Sequence, residues 1–157
     1  MRPGVRLGID VGTARIGVAV SDPSGILATP VETVSRDPQS VDRLSLLAVE
    51  LGAIEIVVGL PLALSGGETA STADARTVAA ELAAAQPIPV RLVDERLSTV
   101  SAQTALHRSG RNAKNSRTVI DQVAAVIILQ HALDWERSAD SPPGMTVDFD
   151  PRTVIDG

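Results

Sequence analysis

Three short apolar runs open the chain, Val5–Val11, 16–21 and 26–34, and only four residues separate each from the next. A parallel crossover takes a dozen or more residues, so runs this close can pair only as antiparallel hairpins. The spacing therefore predicts a three-stranded meander with turns at 12–15 and 23–25. Pro30 cannot donate to a ladder, which assigns the third strand to an edge or an irregular position. After Val34 the period changes. Val41, Leu44, Leu47, Ala48 and Leu51 recur at helical spacing, with Pro38 suited to the first turn. Residues 54–58 form a continuous apolar strand of the kind covered on both faces. An alanine-rich helix over 68–85 stops before Pro87, and 90–93 is a last strand ending at Asp94 and Glu95. Ser98 is placed to cap a helix over 99–107, 108–116 reads as a polar loop, and 117–133 is predicted as a long helix packed through Val119, Ile120, Val123, Ile127 and Ile128. The order β-β-β-α-β-α-β-α-α predicts an α/β fold, a mixed five-stranded sheet flanked by helices.

Beyond Trp135 the chain carries Pro142, Pro143, Gly144 and Pro151 among scattered acids and shows no periodicity. Residues 1–135 are thus expected to form one domain and 136–157 a flexible acidic tail. The absence of cysteine excludes disulfides and thiolate metal sites. No apolar run approaches the roughly 20 residues that span a bilayer, and no signal-peptide pattern opens the chain. The expectation is a cytoplasmic protein with no membrane partner.

Charge sharpens this reading. The chain has 14 basic and 19 acidic residues, a formal net of -5, which argues against a general polyanion binder. The distribution is uneven, however. Residues 134–157 hold six acids against Arg137 and Arg152, while from Arg96 to Arg117 there are five bases and no acid. Arg108, Arg111, Lys114 and Arg117 form a candidate phosphate-contacting patch, the alternative being a solvated charged loop. With only Trp135 and Phe149 as aromatics, contacts are expected to favour backbone and shape over base stacking.

Three settings can carry chemistry. Asp10 lies between Ile9 and Val11 on an apolar strand, where an acid is costly unless paired. It is either a metal-ligating carboxylate or an end-of-strand acid accepting turn hydrogen bonds. Asp94-Glu95-Arg96 follows a buried-type strand, and strand C-terminal ends are where α/β sites gather. Successive residues point to opposite sides, so only one of the two acids faces a given site. Arg96 contacts a phosphate or pairs with a neighbouring acid. Asp121 sits on the long helix with Ala124 and Ala125 one turn on, small enough for close approach to the sheet; the alternative is an acid at a helix boundary. Hard carboxylates with only His107 and His131 besides suit Mg²⁺ or Mn²⁺ rather than zinc, and acids on two strands and one helix suit phosphodiester hydrolysis. Thr13 and Arg15 in the first turn could reach a phosphate. The loop 59–67 lacks the Gly-Lys-Ser/Thr of a P-loop.

These blocks, Gly8-Ile-Asp10-Val-Gly12 with Arg15-Ile-Gly17-Val-Ala19, Val57-Val-Gly59-Leu-Pro61-Leu, Asp94-Glu-Arg96-Leu-Ser98-Thr99 and Ile120-Asp121 running into Ala124 to Leu129, resemble the YqgF/RuvX-like family. That group is regarded as pre-16S rRNA nucleases and was earlier described as Holliday junction resolvases. The resemblance covers roughly residues 5–133. It implies an RNase H-like fold and makes Asp10, Glu95 and Asp121 the catalytic, divalent-metal-binding carboxylates, with Mg²⁺ or Mn²⁺ as cofactor. It implies a role in 16S rRNA 5′-end maturation during ribosome biogenesis, with structured RNA or a pre-ribosomal particle as partner, for a monomer or homodimer. The loop after Pro61, Leu-Ala-Leu-Ser-Gly-Gly, departs from the more polar stretch of relatives. The run before Asp121, Asn-Ser-Arg-Thr-Val-Ile, replaces a denser lysine cluster. Competing readings are an endonuclease on branched DNA, a non-catalytic RNA-binding assembly factor, and an actin-like ATPase, for which one domain is too few.

Overall fold

The computed structural model describes residues 1–97 and 116–147. Strands β1 (Val5–Val11), β2 (Arg15–Ser21) and β3 (Ala28–Ser35) form the meander, with Asp10 opposite Gly17 and Arg15 opposite Ser35. β3 is the outer strand, and its ladder slips beside Pro30, where a missing N–H is tolerated. Helix α1 (Ser40–Glu50) closes at Gly52, whose φ of 67° only glycine adopts without strain, with the Leu51 and Gly52 N–H groups donating to Leu47 and Val49 carbonyls. β4 (Ala53–Leu60) runs parallel to β1, and α2 (Ala70–Ala85) starts from a capping box between Thr69 and Thr72. β5 (Val90–Asp94) lies parallel to β4 and leads into a single 3₁₀ turn at Glu95–Leu97. The long helix α3 runs over Ser116–Ala139.

The sheet has six strands among the described residues, in the order β3-β2-β1-β4-β5-β6, not the expected five. The sixth, β6 (Met145–Val147), pairs antiparallel with β5, placing Met145 opposite Leu92 and Val147 opposite Val90. Three residues are too few for alternation to be seen in sequence, and the neighbouring prolines hide them further. The expected domain boundary at 135 also cuts through α3, which continues four residues because Glu136 has buried partners. Residues 136–147 therefore belong to the fold; 148–157 lie outside the described residues. So do Ser98, the helix expected over 99–107 and the loop at 108–115.

Alternation along the strands divides the core in two. Leu7, Ile9, Ile16, Val18, Ile56 and Val58 face α1 and α2 and pack with Leu44, Leu47, Val78 and Leu82. Ala19, Val57 and Val93 face the other way, onto Ala125, Ile128, Leu129 and Leu133 of α3. Each fully buried Leu or Ile contributes about 1.5–3 kcal/mol, so the two layers fix the sheet from both sides. No helix among the described residues is long and apolar enough to cross a membrane.

At the start of β1 the α3 face carries charge instead. Arg6 and Glu55 are each 1% exposed and Glu136 is 3% exposed. Arg6 donates to Glu136 at 2.8 Å and to the carbonyls of Gly4 and Arg2 at 2.7 Å. Glu55 accepts from Arg91 at 2.6 Å and from Arg2 at 3.2 Å, and Arg2 also reaches Glu136. Burial pushes the Glu136 carboxyl up, but hydrogen bonds from the Arg2 side chain and backbone, with the Arg6 and Arg2 charges, hold it below the usual range.

Candidate active site

The α3 face of the sheet changes character four residues further along the strands. The residues that share this face with Arg6 on β1 are Gly8 and Asp10. Three glycines bring α3 down here. A Cβ at Gly8 would stand 2.6 Å from Leu129 Cβ, one at Gly59 2.6 Å from Ile128 Cδ1, and one at Gly17 would run into the Asp121 carbonyl. Side chains at these positions would hold the helix off the sheet. Their absence seats the second turn of α3, and with it Asp121, directly over Gly17 and beside Asp10.

Glu95 completes the grouping from the end of β5. It has the parity of Val93, which packs under α3, and its carboxyl lies against the bare face of Gly59. Asp94 has the opposite parity. It accepts from Arg96 Nη2 at 2.6 Å and from the Arg96 backbone at 2.9 Å, and the Arg96 guanidinium holds its carboxyl below the usual range. Glu95, the first residue of the 3₁₀ turn, thus lies on the α3 side of the sheet, while Asp94 is paired with Arg96.

Asp10 and Glu95 are hydrogen-bonded to each other. Burial, the Asp10 charge, that hydrogen bond and the Asp94 charge push the Glu95 carboxyl up to about 8. Burial, and secondarily the Asp121 charge, pushes Asp10 up as well, against the Glu95 hydrogen bond. Two facing carboxyls that are costly to ionise together hold a proton between them near neutral pH.

Asp121 is engaged differently. Its Oδ2 accepts from Arg15 Nε at 2.8 Å. Arg15 is carried by the turn after β1, closed by Gly12 N–H donating to the Arg15 carbonyl at 2.9 Å. Arg36 braces that turn: its Nη1 donates to the Gly12 carbonyl at 2.8 Å, its backbone donates to Ala14 at 3.0 Å, and its guanidinium forks onto Asp74 of α2 at 2.8 and 2.9 Å. Neither Arg36 nor Asp74 carried any sequence signal, because each is an isolated charge whose partner lies on another element.

Among the described residues, no group of three His, Asp or Glu side chains stands at ligand spacing for a single ion. The donor chemistry nevertheless fits a hard divalent cation. Two carboxylates crowd one another under a third, all offer oxygen, and a cation would relieve the repulsion that a shared proton now relieves.

The remaining expected contacts are scattered. Thr13 is exposed in the first turn. Arg15 points at Asp121, and Arg96 is committed to Asp94. Arg108, Arg111 and Lys114 lie outside the described residues, as does His107, and Arg117 is described only as helix backbone. The loop after β4 is closed by Ala63 N–H donating to Gly67 and Gly66 N–H to Ala63, and the Thr72 hydroxyl ties Pro61 to α2. Arg96 touches it through the Leu64 carbonyl, and Leu64 at its tip is 88% exposed.

Comparison with known proteins places the chain in a family. A family model described as RuvX, Holliday junction resolvase, matches residues 4–135. A candidate pre-16S rRNA nuclease of Clavibacter michiganensis subsp. michiganensis is 62% identical, the match spanning 99% of this chain and 97% of that protein. Its counterpart from Leifsonia xyli subsp. xyli is also 62% identical, over 94% of this chain and 97% of that one. Among solved structures, Thermus thermophilus RuvC in complex with a Holliday junction substrate superposes with a TM-score of 0.58 at 19% identity, covering 89% of this chain and 99% of that chain. That likeness bears on the fold alone, and the mixed sheet is RNase H-like as expected.

Proposed function

The chain belongs to the RuvX family, and on that premise we propose that it is a nuclease of the 16S rRNA precursor, acting in the cytoplasm through a divalent-cation site made by Asp10, Glu95 and Asp121. The observation that carries the reading is the Asp10–Glu95 pair: two acids buried against each other beneath Asp121, with glycines at Gly17 and Gly59 keeping the space open. A stable scaffold has no use for such a pair, since it costs stability wherever both ionise.

Asp10 on β1, Glu95 in the turn after β5 and Asp121 on α3 would hold the cation. When bound, Mg²⁺ or Mn²⁺ supplies Lewis-acid activation of the scissile phosphodiester and offsets the charge on its oxygens. The protein's own part is positional. The sheet holds Asp10 rigidly, the three carboxylates would offer their oxygens to the cation, and a carboxylate of the trio orients the attacking water. Arg96, on release from Asp94, and Arg108, Arg111, Lys114 and Arg117 are assigned to substrate phosphates, which makes binding strongly salt-dependent.

The test is cleavage of a pre-16S rRNA 5′ leader by purified protein with Mn²⁺ or Mg²⁺. Wild type should cut, and D10N should not. Equal activity in D10N and wild type would overturn the assignment. A second reading, resolution of branched DNA, is favoured by the description of the matching family model. Side-by-side rates on a four-way junction and on precursor RNA at one salt concentration separate the two, and RNA is expected to be the better substrate.

A further inference from the structure

We propose that Arg15 is a latch on Asp121, a positioning residue that keeps the third carboxylate out of the cation site until a substrate phosphate takes its guanidinium. The inference rests on the nuclease reading above and adds to it an order of assembly. Three observations carry it. Asp10 and Glu95 are joined to each other, whereas Asp121 Oδ2 is joined to Arg15 at 2.8 Å. The three acids consequently do not form one ligand set, although the glycine seat puts Asp121 beside Asp10. Arg15 is also held in place and not merely near: Gly12 closes its turn, and Arg36, itself forked onto Asp74, clamps that turn to α2.

A guanidinium has five N–H donors, and Asp121 uses the Nε of Arg15. That contact leaves the two terminal nitrogens to other partners, on a side chain that is 34% exposed. A phosphate binds a guanidinium bidentately and carries at least the charge of a carboxylate. RNA can therefore draw Arg15 away from Asp121, and the released carboxylate can turn to a cation. Until then the arginine opposes the cation twice, by occupying a ligand oxygen and by placing a positive charge beside the site. By linkage, cation and RNA must then strengthen each other's binding.

Calorimetric titration of Mn²⁺ into the protein, with and without a short phosphorothioate-backbone RNA that resists cleavage, tests this. For wild type the RNA should raise Mn²⁺ affinity about fivefold or more. R15Q should bind Mn²⁺ several-fold more tightly than wild type without RNA and gain nothing further from it. R15K, which keeps the charge but not the fork, should keep weak Mn²⁺ binding and part of the RNA effect. In kinetics, R15Q should raise KM for RNA and also shift the Mn²⁺ dependence of cleavage to several-fold lower concentration, because Asp121 no longer waits on RNA for its release. If R15Q has wild-type Mn²⁺ affinity, or only its KM changes, Arg15 is a plain phosphate contact and the latch is wrong. D10N separates this from failure of the nuclease reading. Loss of Mn²⁺ binding in D10N with no effect of R15Q overturns the latch alone, whereas undiminished Mn²⁺ binding in D10N overturns both.

Discussion

The face of the sheet under α3 buries acids at both of its ends, and it treats them in opposite ways. At the start of β1, Glu55 and Glu136 are surrounded by Arg2, Arg6 and Arg91, and every acid has an arginine within hydrogen-bond distance. Four residues along, Asp10 and Glu95 face each other, and among the described residues the arginine at this end, Arg15, is paired with Asp121. The acids at the first end are almost fully buried and those at the second are partly buried, and their partners differ. A buried acid with its own arginine is part of the architecture, whereas two acids facing each other favour binding of positive charge. The contrast supports the proposed division between structural and chemical carboxylates.

The sharpest way to break the contrast is to remove one acid from each end. D10N should lower cleavage by at least about a thousandfold while raising the melting temperature of the protein in EDTA, because it relieves an ionisation the fold resists. E136A should do the reverse. Stranding Arg6 and Arg2 should cost about 3–5 kcal/mol of stability, read by denaturant unfolding, with kcat of the folded fraction unchanged. If both substitutions destabilise, the two ends are not different in kind.

A second prediction turns on pH. The folded-state pKa of Glu95, about 8, lies above its ordinary value of 4.5. The folded protein therefore binds the proton more tightly than the unfolded chain. That contribution is fully present below pH 4.5 and is lost as pH rises toward 8. Ion-free protein should lose on the order of a few kcal/mol across this window, and E95Q should flatten the slope. Saturating Mg²⁺ should flatten it too, by replacing the proton. The arginine-paired end should behave oppositely: Glu136, held low, stabilises at neutral pH and gives up that contribution on acidification.

Smaller effects test the scaffold that sets the two ends apart. G17A places a methyl against the Asp121 carbonyl and should cost about 1–3 kcal/mol through displacement of α3, with a loss of kcat that D74N does not share to the same degree. D74N loosens only the Arg36 brace. Its side-chain ion pair is partly exposed, so stability should change by less than about 1 kcal/mol, and its trace should appear in Mn²⁺ affinity instead.

Much of the fold was legible because its signals are local. The four-residue gaps allowed only hairpins, the helical spacing from Val41 to Leu51 marked α1, and Pro30 assigned β3 to an edge, where it lies. β6 was not legible, nor was the continuation of α3 past Trp135. Three residues show no period, and what extends the helix is Glu136 meeting Arg6, 130 residues away in sequence. Within the site, Asp10 announced itself as an acid in an apolar strand. The pairing of Arg15 with Asp121 spans 106 residues and left no trace in the chain, so Arg15 read as a phosphate contact and nothing more.

What the sequence determined by itself was which groups are available: carboxylates without cysteine, glycines at the strand positions that must stay bare, and an α/β order that places acids toward the C-terminal ends of two strands. The tertiary structure alone decided how those acids are partnered. Pairing depends on distances of about 3 Å between elements far apart in the chain, and a shift of one helix turn would have given Asp121 to a different neighbour. Charge counts cannot see this, because an arginine beside a carboxylate and an arginine across the molecule contribute equally to the net of -5.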